Sequence, residues 1–222
     1  MPIADFAMRR RTILQASASI GALAALAPIS GAWAQTELRR TADQILGPFY
    51  PIMKEPNTSG DLTRVAGGTG RAKGQVLNVV GRVLNPGGEP VRGARIEVWQ
   101  VNAIGRYAHP DDTNPAPLDP NFEGFGLVIT DADGRYAFKT IRPVPYPTSP
   151  GSFRPAHIHF DVRGKHDQLI TQMYFEGDPY NDKDRNLQSL RRPETLIVKL
   201  RSPTSDQESD SVSAVFDIVI RG

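Results

Sequence analysis

In the stretch Arg154-Pro155-Ala156-His157-Ile158-His159-Phe160-Asp161-Val162, polar and apolar residues alternate from His157 onward. A period of two is a strand pattern, in which successive side chains point to opposite faces of a sheet. Ile158, Phe160 and Val162 give one face, uniformly apolar and fit for a core; His157, His159 and Asp161 take the other. Histidines at i and i+2 on a strand sit about 7 Å apart, within reach of one metal ion. Neutral imidazole suits zinc, copper, iron and nickel alike. The same spacing also fits a pair of surface histidines on the wet face of a sheet, so a metal site needs further ligands from elsewhere. The chain has four histidines, and this strand uses two of them.

The segments around this strand share its character. Val76–Leu84 is valine-rich and stops at Asn85-Pro86-Gly87-Gly88, a strong turn sequence. Ala94 to Val101 alternates, with Ala94, Ile96 and Val98 facing inward. Leu127–Thr130 and Arg135–Lys139 flank Asp131-Ala132-Asp133-Gly134, which reads as a hairpin turn with glycine placed for positive φ. Leu169–Phe175, Leu196–Leu200 and Ala214–Ile220 complete the set, and Asp182–Leu190 is a weak helix. Short strands punctuated by proline and glycine predict an all-β fold, an antiparallel β-sandwich of prealbumin or immunoglobulin type with long functional loops and little helix.

Two connections are not ordinary turns. Asn102 to Gly126 carries Pro110, Pro115, Pro117 and Pro120 and contains Arg106-Tyr107-Ala108-His109. Arg142 to Pro155 carries Pro143, Pro145, Pro147 and Pro150 around Tyr146 and leads straight into the histidine strand. Long, proline-stiffened loops on a rigid sandwich are where function is carried. His109 and His166 read as surface histidines, and Tyr174 and Phe175 as core.

Residues 1–34 read as a cleaved leader. Arg9-Arg10-Arg11 precedes an alanine-rich run ending in Ala32-Trp33-Ala34, a small-x-small cleavage pattern. Adjacent arginines point to twin-arginine export and a periplasmic or secreted product. The run is too short and too interrupted for a membrane anchor. Residues 35–75 read as an extended N-terminal segment packed on the domain, with a single helical turn at Thr41–Leu46, and residues 76–222 as the sandwich. The leader holds three arginines and one aspartate, so the rest of the chain carries 23 residues of each sign. A neutral domain gives no argument for nucleic acid as a partner. The chain has no cysteine, which excludes disulfides and thiolate-held metals.

Taken together, Gly105-Arg106-Tyr107, Pro145-Tyr146-Pro147, Arg154-Pro155-Ala156-His157-Ile158-His159 and Leu169-Ile170-Thr171-Gln172-Met173-Tyr174-Phe175-Glu176-Gly177-Asp178-Pro179 resemble the intradiol ring-cleavage dioxygenases. The likeness is greatest to the iron-bearing β subunits of the protocatechuate 3,4-dioxygenases. Gly47-Pro48-Phe49-Tyr50, Trp99-Gln100, Leu118-Asp119-Pro120-Asn121-Phe122 and Phe216-Asp217-Ile218-Val219 extend the resemblance over nearly all the chain after the leader.

The resemblance implies a mononuclear non-haem Fe(III) held by Tyr107, Tyr146, His157 and His159, with hydroxide as a further ligand. It implies O₂ as co-substrate and a small aromatic diol, protocatechuate-like, opened to a cis,cis-muconate. By the same likeness Arg154 stabilises charge beside the ring, Tyr146 leaves the metal and serves as a base, and Gln172 hydrogen-bonds near the iron. Arg154 is also suited to a salt bridge with Asp161 or another carboxylate, and Gln172 to a bond with backbone. The likeness further implies a homo-oligomer or an α-type partner subunit. Thr148 stands where protocatechuate enzymes usually have tryptophan, and the loop before Arg154 is shorter, so the pocket wall differs. A competing reading rests on Gly81-Arg82-Val83, Gly88-Glu89-Pro90-Val91-Arg92-Gly93-Ala94 and Thr130 to Phe138. These also look like non-catalytic prealbumin-like modules of secreted proteins, which carry no iron.

Overall fold

The structure, a computed structural model, describes residues 37–52 and 55–221. The leader lies outside the described residues. Nine-residue β1 (Val76–Leu84) pairs antiparallel with β4 (Arg135–Ile141) and parallel with β10 (Val212–Val215) and β11 (Ile218–Val219). The second sheet runs β3 (Phe125–Ile129), β2 (Arg95–Trp99), β7 (His157–Arg163), β8 (Gln168–Phe175), β9 (Ile197–Val198). A separate two-stranded hairpin, β5 (Tyr146–Ser149) with β6 (Ser152–Arg154), lies inside the proline-rich loop before β7.

The core forms between the two sheets, as the alternation requires. Leu77, Val79 and Val83 of β1 and Tyr136 and Phe138 of β4 meet Ile96, Val98, Ile158, Phe160, Val162, Leu169 and Met173. Phe160 is central, with its ring 5.2 Å from Phe216 and 6.0 Å from Phe138. Burying a side chain of this size is worth about 1.5–3 kcal/mol. No helix among the described residues is long and apolar enough to cross a membrane.

Four local expectations are corrected. The sheets are mixed rather than purely antiparallel, because β10 and β11 join β1 and β9 joins β8 in parallel. The turn Asp131–Gly134 forms, with Gly134 at φ +71 and its N–H donating to Asp131. It links strands of different sheets, however, so it is a corner and not a hairpin. The helix expected over Asp182–Leu190 is broken at Asp184 (φ −76, ψ 111), leaving a 3-10 turn and the four residues of α1 (Arg185–Gln188).

Thr41–Leu46 makes no helical turn. Its backbone bonds go to the body of the protein instead, with Thr41 N–H donating to Val219 and Gln44 N–H to Ile170. The segment is therefore a strap that runs from β11 of the first sheet onto β8 of the second. Arg40 fastens it, its Nε donating to Asp167 at 2.8 Å.

Candidate metal centre

The face of β7 opposite the core is not wet. His157, His159 and Asp161 are buried there. Register sets their neighbours: His159 lies between Trp99 on β2 and Gln172 on β8, and His157 opposite Tyr174. Three irregular segments then cover this row. The strap brings Phe49 and Tyr50, the Asn102–Gly126 loop brings Tyr107, and β5 brings Tyr146; with Trp99, Val101 and Phe125 these make a second apolar cluster.

Tyr107 is held by its own loop. Asn102 Oδ1 accepts the N–H groups of Ile104 and Arg106, and Asp112 Oδ2 accepts that of Tyr107 at 2.7 Å. Gly105 has φ +84, and a Cβ there would stand 3.1 Å from the Tyr146 Cβ, so only glycine lets the two loops close on each other without strain. The Tyr107 and Tyr146 rings then meet edge to face at 5.5 Å, and Tyr146 lies 5.6 Å from the His157 ring. The residues singled out from the sequence, Tyr107, Tyr146, Arg154, His157, His159 and Gln172, come together around this one spot.

The donors satisfy one another only in part. His157 Nδ1 lies 2.7 Å from the Pro155 carbonyl, which fixes its proton on Nδ1 and leaves Nε2 bare. That bare nitrogen faces His159 Nε2 at 3.2 Å, which in turn is 3.1 Å from the Tyr107 hydroxyl. His159 Nδ1, also buried, has no hydrogen-bond partner. Burial, reinforced by Arg154, drives both imidazoles to the neutral form and pushes His159 down to about 3. Burial likewise raises both phenols, Tyr107 well above its ordinary value.

Neutral imidazole nitrogens and phenol oxygens converging in a dry space fit a metal cation. Its charge is what such phenols need in order to ionise. Among the described residues no group of three or more His, Cys, Asp or Glu is placed to hold a metal ion. The set therefore suits neither a closed zinc site nor a calcium cage.

Arg154 reaches the same spot from β6. Its Nε donates to Asp184 Oδ2 at 2.6 Å, and its Nη2 to Gln172 Oε1 at 2.8 Å and the Tyr174 hydroxyl at 3.0 Å. Its salt bridge is thus with Asp184, while Asp161 pairs with Arg163. Gln172 makes the expected bond to backbone, donating to the Ile45 carbonyl at 2.8 Å, and also accepts from Arg154.

Two residues had different expectations, and a third had none. Tyr174, read as core, is buried but turns its hydroxyl to Gln172 and Arg154; its position two residues from Gln172 on one strand was the available signal. His109, read as a surface residue, is buried with its ring 5.7 Å from Phe49 and its Nδ1 accepting the Asp111 N–H. Asp184 carried no sequence signal, since the break that makes it a helix cap is tertiary. Trp99 stacks on His159 at 4.7 Å and 10°.

A family model described as Dioxygenase matches residues 45–222. The chain is 47% identical over 190 residues to the protocatechuate 3,4-dioxygenase beta chain of Burkholderia cepacia, covering 82% of this chain and 80% of that one. It is 35% identical over 154 residues to a catechol 1,2-dioxygenase of Acinetobacter lwoffii, covering 63% of this chain and 53% of that one. Among solved structures, hydroxyquinol 1,2-dioxygenase from Pseudomonas putida DLL-E4 superposes with TM-score 0.67 at 28% identity, over 82% of this chain and 67% of that one. These relatives do not favour a non-catalytic module. The family match runs through every strand of both sheets and both proline-rich loops, and the chain belongs to the intradiol ring-cleavage dioxygenase family.

Proposed function

We propose that the protein is a non-haem Fe(III) enzyme that opens a protocatechuate-like catechol with O₂ to a cis,cis-muconate. Tyr107, Tyr146, His157 and His159 would hold the iron. The observation that carries this is the pair of buried imidazole Nε2 atoms 3.2 Å apart with the Tyr107 hydroxyl 3.1 Å from one of them. Bound there, ferric iron supplies the positive charge that ionises phenols and the electron acceptor that readies a catechol for O₂.

The chain's own residues do the rest. The Pro155 carbonyl keeps the His157 proton on Nδ1, so Nε2 stays available as a ligand. Tyr146 sits on a hairpin paired with neither main sheet, which supports its phenolate as the base that would take a catechol proton. Arg154, next to Tyr146 and held on Gln172, presents fixed positive charge to an oxygen that becomes negative as the ring opens. The second apolar cluster keeps water from the reacting ring, which strengthens each of these interactions.

A ring carboxylate needs a polar or cationic partner, because an unpaired buried charge costs several kcal/mol. Arg106 donates its Nη1 to the Ala116 carbonyl at 2.7 Å, within its own loop, while its buried Nε has no hydrogen-bond partner. The double arginine before Ala34 supports export by the twin-arginine route to the periplasm, and a relative named as a beta chain supports an assembly with an α-type subunit or further copies.

The test is iron content, visible absorption and O₂ uptake of the purified protein with catechol and protocatechuate. About one ferric iron per chain, a broad tyrosinate band and a muconate product are expected. A protein that stays colourless after iron loading and cleaves neither ring overturns the reading.

A further inference from the structure

We propose that Asp184 is a positioning residue for Arg154, setting the guanidinium over the ring-cleavage site. The proposal rests on the function argued above. Arginine has a long, flexible side chain, and its use beside a reacting ring depends on holding one geometry. Here the side chain is gripped by acceptors from separate places. Asp184 takes Nε at 2.6 Å, while Gln172 and Tyr174 share Nη2 at 2.8 Å and 3.0 Å. Only Asp184 carries formal charge, and its side chain is 2% exposed against 13% for Arg154. All three bonds are charge-assisted through the guanidinium, but only the one to Asp184 joins opposite charges.

The carboxylate is itself fixed. Its Oδ1 accepts the Leu187 N–H at 2.8 Å, capping α1, while Oδ2 is given to Arg154. The two oxygens thus have separate tasks, and capping alone accounts for only one of them. Neighbouring contacts point the same way. Asp178 Oδ2 accepts the Ala156 N–H at 2.9 Å, and Tyr180 stacks on Phe153 at 5.0 Å. Tyr180, Asp184 and Asp178 therefore clasp Phe153 and Arg154 of β6 and Ala156 just beyond it. Tyr146 pairs with Arg154 across the hairpin, so the clasp also sets that phenol.

The separate tasks allow a clean test on the iron-loaded full chain. In Asp184→Asn the amide oxygen still caps α1, but the group facing Arg154 becomes an NH₂ donor. Asp184→Ser keeps a capping hydroxyl and is too short to reach Arg154. For both, kcat should fall about 10- to 100-fold, the range for loss of a supporting contact. KM should change less than about threefold, as for an interaction used in the transition state, with iron content near wild type and Tm lowered, because the Arg154 charge loses its buried partner. Crystal structures of the variants should show the Arg154 guanidinium displaced. In an Arg154→Ala background Asp184→Asn should cost no further kcat.

An unchanged kcat, an undisplaced guanidinium, or an equal loss in the Arg154→Ala background would each overturn the proposal. Should neither variant fold, the wild-type holoenzyme structure decides: Arg154 on Asp184 sustains the tie, and Arg154 turned elsewhere overturns it. Absence of ring cleavage by the wild type would defeat the functional reading instead, leaving the structural tie to be judged from the crystals.

Discussion

Replacing Gly47 by alanine isolates the contact between the strap and the candidate metal centre. Gly47 has φ +78, and an added Cβ would stand 3.1 Å from His159 Cε1, so the ring must give by a few tenths of an ångström. His159 has little room to give, because Trp99 is stacked on it at 4.7 Å. Two costs follow. The left-handed backbone costs an alanine about 1–2 kcal/mol, which in a protein of this size lowers Tm by roughly 2–8 °C. The steric push turns His159 away from His157 and Tyr107, and disturbing a ligand's support costs about 10- to 100-fold in metal affinity.

Gly67→Ala is the matched control, since Gly67 has φ +76 with nothing within 4 Å of the added Cβ. Both variants should lose similar stability in thermal unfolding followed by circular dichroism. Only Gly47→Ala should release iron more readily in a competition titration with a chelator, with a weaker tyrosinate band. If both variants hold iron as tightly as wild type, the strap does not constrain His159 and the reasoning fails.

His157→Ala or His159→Ala should remove bound metal while leaving the β circular dichroism spectrum, since both project from the face opposite Ile158, Phe160 and Val162; loss of fold with metal retained would contradict this. Tyr107→Phe and Tyr146→Phe should each weaken the visible band, and a band unaffected by either would remove that tyrosine from the ligand set. Asp167 is held below its ordinary value chiefly by its bond to Arg40. Asp167→Asn should therefore cost up to about 1 kcal/mol at pH 7 in urea unfolding. The cost should vanish as the pH falls through the lowered pKa of wild-type Asp167, below the ordinary carboxylate range, because a depressed carboxylate stabilises the fold only while ionised. Lysine at both Arg10 and Arg11 should leave precursor in the cytoplasm; normal accumulation outside it would favour the general secretory route.

The alternation from His157 to Val162 is local, and it alone assigned a strand with histidines on one face and core residues on the other. Proline density likewise marked the loops carrying Tyr107 and Tyr146, because proline and glycine restrict the backbone wherever they stand. Local pattern did not say that the polar face would be buried. That depends on the strap, the Tyr107 loop and the hairpin folding onto it from positions far away in the chain. The Asp131–Gly134 turn shows the limit most plainly: its residues dictate a reversal, but whether the chain returns to the same sheet or crosses to the other is decided by which face must meet the core. Arg154 and Asp184 lie in different segments, and Tyr174 looked like one more apolar strand residue. Their bonds exist because the sandwich brings β6, β8 and the start of α1 to one point, and no pattern within any of those segments encodes that meeting.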